Sequence, residues 1–141
     1  MVIRRIKPVN IAVQYGNLKS LTPDAKISMN NDILVWSDFL QPTPLAKKYK
    51  VKIVYKFKHD PDVYVIKPKL ELFTKATALP HIYSTEKQWL CLYYRRAREW
   101  KSNMLLSKTI IPWSVEWLYF YELWLATGKW LGGGNEHAPK T

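Results

Sequence analysis

Three observations predict an α+β domain in which an antiparallel strand meander precedes flanking helical structure. Between Ile33 and Phe73, short runs rich in β-branched and aromatic residues alternate with proline- and aspartate-bearing turns at hairpin spacing. Between Val115 and Thr127 the pattern changes to one long apolar run, WLYFYELWLA, with no turn residue inside it. The 141 residues, 48% of them apolar, suffice for a single core, and no repeat, linker or low-complexity stretch divides them. A single domain over residues 1–141 is therefore expected, with 132–141 as a flexible tail.

Residues 1–20 fit either a short helix or a strand, because Pro8 and Gly16 leave room for only a modest element. Thr22-Pro23-Asp24 reads as a turn. Ile33-Leu34-Val35-Trp36 is a strand that ends at the loop Gln41-Pro42-Thr43-Pro44. Tyr49 to Phe57 is the clearest strand, with lysines alternating against apolar residues as on a half-solvated antiparallel strand. His59-Asp60-Pro61-Asp62 turns the chain into Tyr64-Val65-Ile66, and Leu70 to Phe73 follows Lys67-Pro68-Lys69 as a further strand. Thr74 to Leu90 shows no clear strand and reads as an ordered loop or flap, a length usually tied to function. For the helix, Ser114 is the expected N-cap, Trp113 and Leu118 the staple, and Gly128 the stop. Trp117, Tyr121 and Trp124 share one face of it and should pack inward.

Composition narrows the function classes. One cysteine leaves no intrachain disulfide and argues against a secreted, disulfide-stapled scaffold. The basic start lacks an uninterrupted apolar stretch, so no signal peptide is expected. Pro112, Glu116, Glu122 and Lys129 interrupt the most apolar window, so no membrane span is expected, and a cytoplasmic location follows. The net charge of +11, concentrated at 47–58 and 95–101, suits an acidic protein surface or nucleic acid. Seven Trp and nine Tyr fit base stacking as well, so a nucleic-acid-binding module is one reading. Against it, most of these rings occupy positions that build a core. Cys91, His59, His81 and His137 are not spaced as zinc ligands, and no Walker A, GxGxxG, GxSxG or HExxH pattern occurs. No metal and no cofactor are expected.

The chemistry-bearing pair is Cys91 and His81, ten residues apart in LPHIYSTEKQWLCLYY. A lone cysteine between Leu90 and Leu92 is ordinarily a small buried hydrophobe. A nucleophilic one needs an accessible thiolate, and His81, Arg95, Arg96 and Arg98 would lower its pKa if they faced it.

In order, Trp36, Pro42-Thr43-Pro44, Tyr49 to Phe57, Pro68-Lys69-Leu70, His81, Cys91-Leu92 and Trp100 resemble the core of ubiquitin-conjugating enzymes over residues 33–105. In that family a flap opens with His-Pro-Asn, and the catalytic cysteine lies ten residues beyond the histidine. The C-terminal part, TIIPWSVEWLYFYELWLATGKWLGGG, is similar to the stand-alone ubiquitin-conjugating-like proteins of bacterial CBASS antiphage operons, which accompany a cGAS/DncV-like nucleotidyltransferase. The resemblance implies that Cys91 forms a thioester with a protein C-terminus, that of the nucleotidyltransferase, and passes it to an amine. An activating enzyme would supply the acyl group. Ile82 and Tyr83 stand where the family has Pro and Asn, so Tyr83 or a backbone N–H would have to stabilise the oxyanion. His81 would order the flap through its imidazole. Arg95, Arg96 and Arg98, with Trp89 and Trp100, are the expected partner-binding residues. Cys91 should then be exposed at the rim of a shallow groove, beside a flap from Ala78 to Trp89. A catalytically inert scaffold of the same fold is the remaining alternative.

Overall fold

The computed structural model describes residues 7–132; most of the expected tail lies outside the described residues. Helix α1 (Ile11–Leu21) settles the ambiguous opening as helical from residue 11. Asn10 caps it, its Oδ1 accepting the Ala12 N–H at 2.7 Å. The wholly buried Gln14 ties α1 to the loop before the second helix. Its Nε2 donates to the Met104 carbonyl at 2.8 Å, and its Oε1 accepts the Leu106 N–H at 3.0 Å. One side chain thus satisfies two backbone groups that would otherwise be costly to bury.

Strands β1 (Lys26–Asn30), β2 (Ile33–Leu40), β3 (Tyr49–Lys56), β4 (Asp62–Lys67), β5 (Ile82–Ser84) and β6 (Trp89–Leu90) form one antiparallel sheet. Their order is β1-β2-β3-β4-β6-β5. The meander is real and begins one strand earlier than expected, with β1 pairing Ile27 opposite Trp36. Period-two alternation sorts β3 as the sequence suggested. Tyr49, Val51, Ile53 and Tyr55 are buried, while Lys50, Lys52 and Lys56 point to the other face. Trp36 lies in the core with its indole N–H donated to Thr22 Oγ1 at 2.9 Å.

Two expectations are corrected here. Leu70–Phe73 is not a strand, because side chains take up its backbone groups. Gln88 Oε1 accepts the Leu70 N–H at 2.6 Å. The Tyr121 hydroxyl both accepts the Glu71 N–H at 2.6 Å and donates to the Glu71 carbonyl at 3.1 Å. The sheet position beside β4 goes to β6 instead, and the flap contains the β5–β6 hairpin. The second helix, α2 (Ile110–Thr127), starts five residues before Val115. Its N-cap position is Thr109, and Pro112 falls in the first turn, where a missing N–H costs nothing. Ser114 is therefore no cap but a buried interior residue, its Oγ donating to the Ile110 carbonyl at 2.7 Å.

Gly128 ends α2 as expected, at φ 79°, its N–H reaching the Trp124 carbonyl at 2.7 Å. Trp117, Tyr121 and Trp124 are all buried, and Tyr121 meets Tyr49 of β3 edge to face at 6.2 Å. Tyr121 thereby ties α2 to the start of β3. No described helix is long and apolar enough to cross a membrane.

Candidate active site

Cys91 is the first residue after β6, where the chain leaves the sheet. Its N–H donates to the His81 carbonyl at 3.1 Å. The same carbonyl accepts the Trp117 indole N–H at 2.9 Å, so one oxygen joins the flap, the cysteine segment and α2. His81 has φ 44°, in the left-handed region, a conformation these two bonds help to hold. Its ring stacks on Trp130 at 4.9 Å between centroids. His81 thus ties the flap to the cysteine segment and α2 by its carbonyl, and to Trp130 by its ring.

Two tyrosines bracket the sulfur. The Cys91 thiol donates to the Tyr93 carbonyl at 3.4 Å, and the Tyr83 hydroxyl is hydrogen-bonded to the Cys91 side chain. Burial, then that bond, pushes the Tyr83 pKa above its ordinary value, with Arg95 pulling the other way. Tyr93 donates its own hydroxyl to Asp60 Oδ1 at 2.7 Å, and burial followed by this bond raises its pKa as well. Arg95 sits with its guanidinium carbon 4.8 Å from the Tyr83 ring centre and 5.9 Å from that of Trp89. It donates to Asp62 Oδ1 at 2.8 Å and to the Pro61 carbonyl at 3.0 Å.

In front of the sulfur lies a groove of about 670 Å³. His81, Cys91 and Tyr93 form one side, and Trp113, Trp117 and Phe120 of α2 face them. Trp130 and Gly132 close one end, while Glu99 and Glu116 bring the groove's carboxylates. A Cβ at position 132 would stand 2.8 Å from Trp130 Nε1 and 2.9 Å from Phe120 Cδ2, so only glycine permits this approach. The arrangement sets a sulfur in the wall of a groove lined by aromatic rings and two carboxylates. Among the described residues, no three His, Cys, Asp or Glu side chains gather as a metal site.

The expected residues separate clearly. Cys91, His81 and Tyr83 come together. Cys91, however, is only 4% exposed, so the expectation of an exposed sulfur at the rim is corrected: it forms part of the groove wall. Leu90 and the close flap packing of β5 on β6 account for that burial. Trp100 is also corrected, being 5% exposed and packed edge to face on Tyr55 at 5.5 Å. Its indole N–H is taken by Thr109 Oγ1, which makes it a core ring and no docking residue. Arg95 is held in the ion pair described, while Arg96 and Arg98 are exposed. Trp89 is half-buried in a row of rings, 6.1 Å from Tyr64 and 4.8 Å from Tyr83.

Sequence reasoning missed the α2 wall and the aspartates behind the tyrosines. Trp113, Trp117 and Phe120, spaced by four and three, did carry the signal of a second shared helix face. Asp60 and Asp62 carried none beyond a turn.

The family model of the Type II CBASS E2 protein matches residues 14–138 of the chain. No curated protein matches it.

Proposed function

The chain belongs to the type II CBASS E2 family, and from that premise we propose that Cys91 carries a protein C-terminus as a thioester. The carbonyl would come from a cGAS/DncV-like nucleotidyltransferase, delivered as a thioester of an activating enzyme. The Cys91 thiolate attacks that carbonyl, a new S–C bond forms, and the activating enzyme's thiolate leaves. An amine then attacks the Cys91 thioester, an amide forms, its surplus proton passes to solvent, and Cys91 is released as thiolate. Tyr83 takes the place of the missing asparagine, its hydroxyl turning from the sulfur to the oxyanion that develops beside it. The groove walls of Trp113, Trp117 and Phe120 hold the incoming tail in line. Exposed Arg96 and Arg98, five and seven residues beyond Cys91, guide the partner.

The observation that carries this reading is that Cys91, though only 4% exposed, borders a groove of about 670 Å³. A thiol serving only as core packing has no need of one. The test is mass spectrometry of the protein co-expressed with its operon neighbours, comparing wild type, Cys91→Ser and Cys91→Ala. The wild type should yield an adduct lost on thiol treatment, the serine variant a stable ester at position 91, and the alanine variant none. Because one sulfur is removed, Cys91→Ala should cost about 1 kcal/mol of stability. An alanine variant that conjugates normally would refute the nucleophile assignment.

A further inference from the structure

We propose that Arg95, fixed by Asp62, is a positioning residue that sets the hydrogen bond of Tyr83 to Cys91. This inference rests on the reading of Cys91 as nucleophile and adds the residues that tune it. Tyr83 lies on β5, a strand of three residues at the edge of the sheet. So short an edge strand does little to fix the direction of a long side chain. Its ring instead packs in a triangle with Trp89 and the Arg95 guanidinium, each 4.8 Å away, while Arg95 also lies 5.9 Å from the Trp89 ring. Arg95 in turn follows Cys91 by four residues, in the 3-10 turn Arg95–Ala97. Its Nη2 is anchored at two points of the β3–β4 turn, the Asp62 carboxylate and the Pro61 carbonyl.

The same turn holds the second tyrosine, since Asp60 accepts the Tyr93 hydroxyl. One turn of the meander therefore controls both residues that touch the sulfur. The two contacts have opposite effects. The Tyr93 carbonyl accepts the thiol proton and favours the neutral form. The Tyr83 hydroxyl donates, and donation favours the thiolate. A cation over the Tyr83 ring withdraws electron density and makes its O–H a better donor. The charge of Arg95 thereby reaches Cys91 through the phenol. Other groups face this pair: His81 from the flap, Asp60 and Asp62 from the turn, and Glu99 and Glu116 in the groove.

The test is the pH dependence of Cys91 alkylation by iodoacetamide, in which thiolate displaces iodide. It needs no partner protein. Wild type, Arg95→Met, Arg95→Lys, Tyr83→Phe and the double variant Arg95→Met/Tyr83→Phe are compared. Arg95→Met should move the midpoint up by about one pH unit, slowing alkylation about tenfold at neutral pH. In the Tyr83→Phe background the same change should have little further effect, because the hydroxyl that relays the charge is gone. Arg95→Lys keeps the charge and should restore part of the rate. If Arg95→Met fails to fold, Asp62→Asn releases the guanidinium without deleting it and should shift the midpoint in the same direction.

Equal shifts with and without the Tyr83 hydroxyl would overturn the inference while leaving the thioester reading intact. A coupled shift in a protein that forms no adduct with its operon neighbours would do the reverse. No alkylation of the folded protein at any pH would overturn both, since a sulfur no reagent reaches has no thiolate to tune.

Discussion

Replacing Trp117 tests the seam between core and site. The ring is 4% exposed, stacks on Tyr121 at 5.7 Å and touches Trp130 at 5.5 Å. A buried indole removes about 200 Å² from water, worth at most about 5 kcal/mol at roughly 25 cal/mol per Å². Core Trp→Ala changes cost about 3–5 kcal/mol, and Trp117→Ala should fall in that range. Trp117→Phe keeps most of the apolar contact and loses the N–H to the His81 carbonyl. That oxygen retains the Cys91 N–H, so it is not left unpaired. The phenylalanine variant should therefore cost about 1–2 kcal/mol. Urea unfolding followed by fluorescence measures both. With a slope near 2 kcal/mol per molar, the alanine variant's midpoint should drop by about 2 M, at unchanged slope. A loss below about 1 kcal/mol for Trp117→Ala would refute the claim that this ring fixes α2 to the flap.

Alkaline titration probes the buried phenols. Burial chiefly pushes Tyr121 up to about 12, and burial followed by the bond to Glu122 raises Tyr49 further. Unfolded tyrosines ionise near 10, so above that pH the folded state binds more protons than the unfolded one. The stability these tyrosines contribute is complete below pH 10 and falls as pH rises towards 12. Part of the tyrosinate absorbance should appear only together with loss of near-ultraviolet circular dichroism; ionisation of all nine near pH 10 with the fold intact would contradict the burial argument. On the outer face of β3, Lys50→Glu with Lys52→Glu should slow adduct formation at low salt and leave the melting temperature almost unchanged. A gel-shift titration at two salt concentrations separates this from nucleic-acid binding, which would fall steeply with salt and ignore Cys91.

Where the sequence repeated a strong local pattern, the reading matched the fold. Tyr49–Phe57 alternated over enough of its length to predict a half-solvated strand with lysines on one face, which β3 shows. Lys26–Asn30 gave no such pattern: as an edge strand it is mostly exposed, and only its pairing with β2 makes it a strand. Leu70–Phe73 had the right residues for a strand, yet Gln88 and Tyr121 claimed its backbone, an outcome decided by partners 18 and 50 residues away. The start of α2 was misplaced because Pro112 reads as a break unless its place in the first turn is known. At the site, the proximity of Cys91, His81 and Tyr83 followed from their order along the chain, while their roles are those proposed above. Trp100 was misjudged: sequence shows an aromatic, while Thr109 takes its indole N–H and turns it towards its own fold.

The Tyr93 carbonyl that holds the Cys91 proton has a consequence for redox chemistry. Peroxide attacks thiolate far faster than thiol, and an oxidised sulfur is rescued most readily by a second cysteine nearby. This chain has no second cysteine. A sulfenic acid at position 91 would have no internal thiol to reduce it and would be open to further, irreversible oxidation. Recessing the sulfur in the groove wall, at 4% exposure, limits how far an oxidant can reach it.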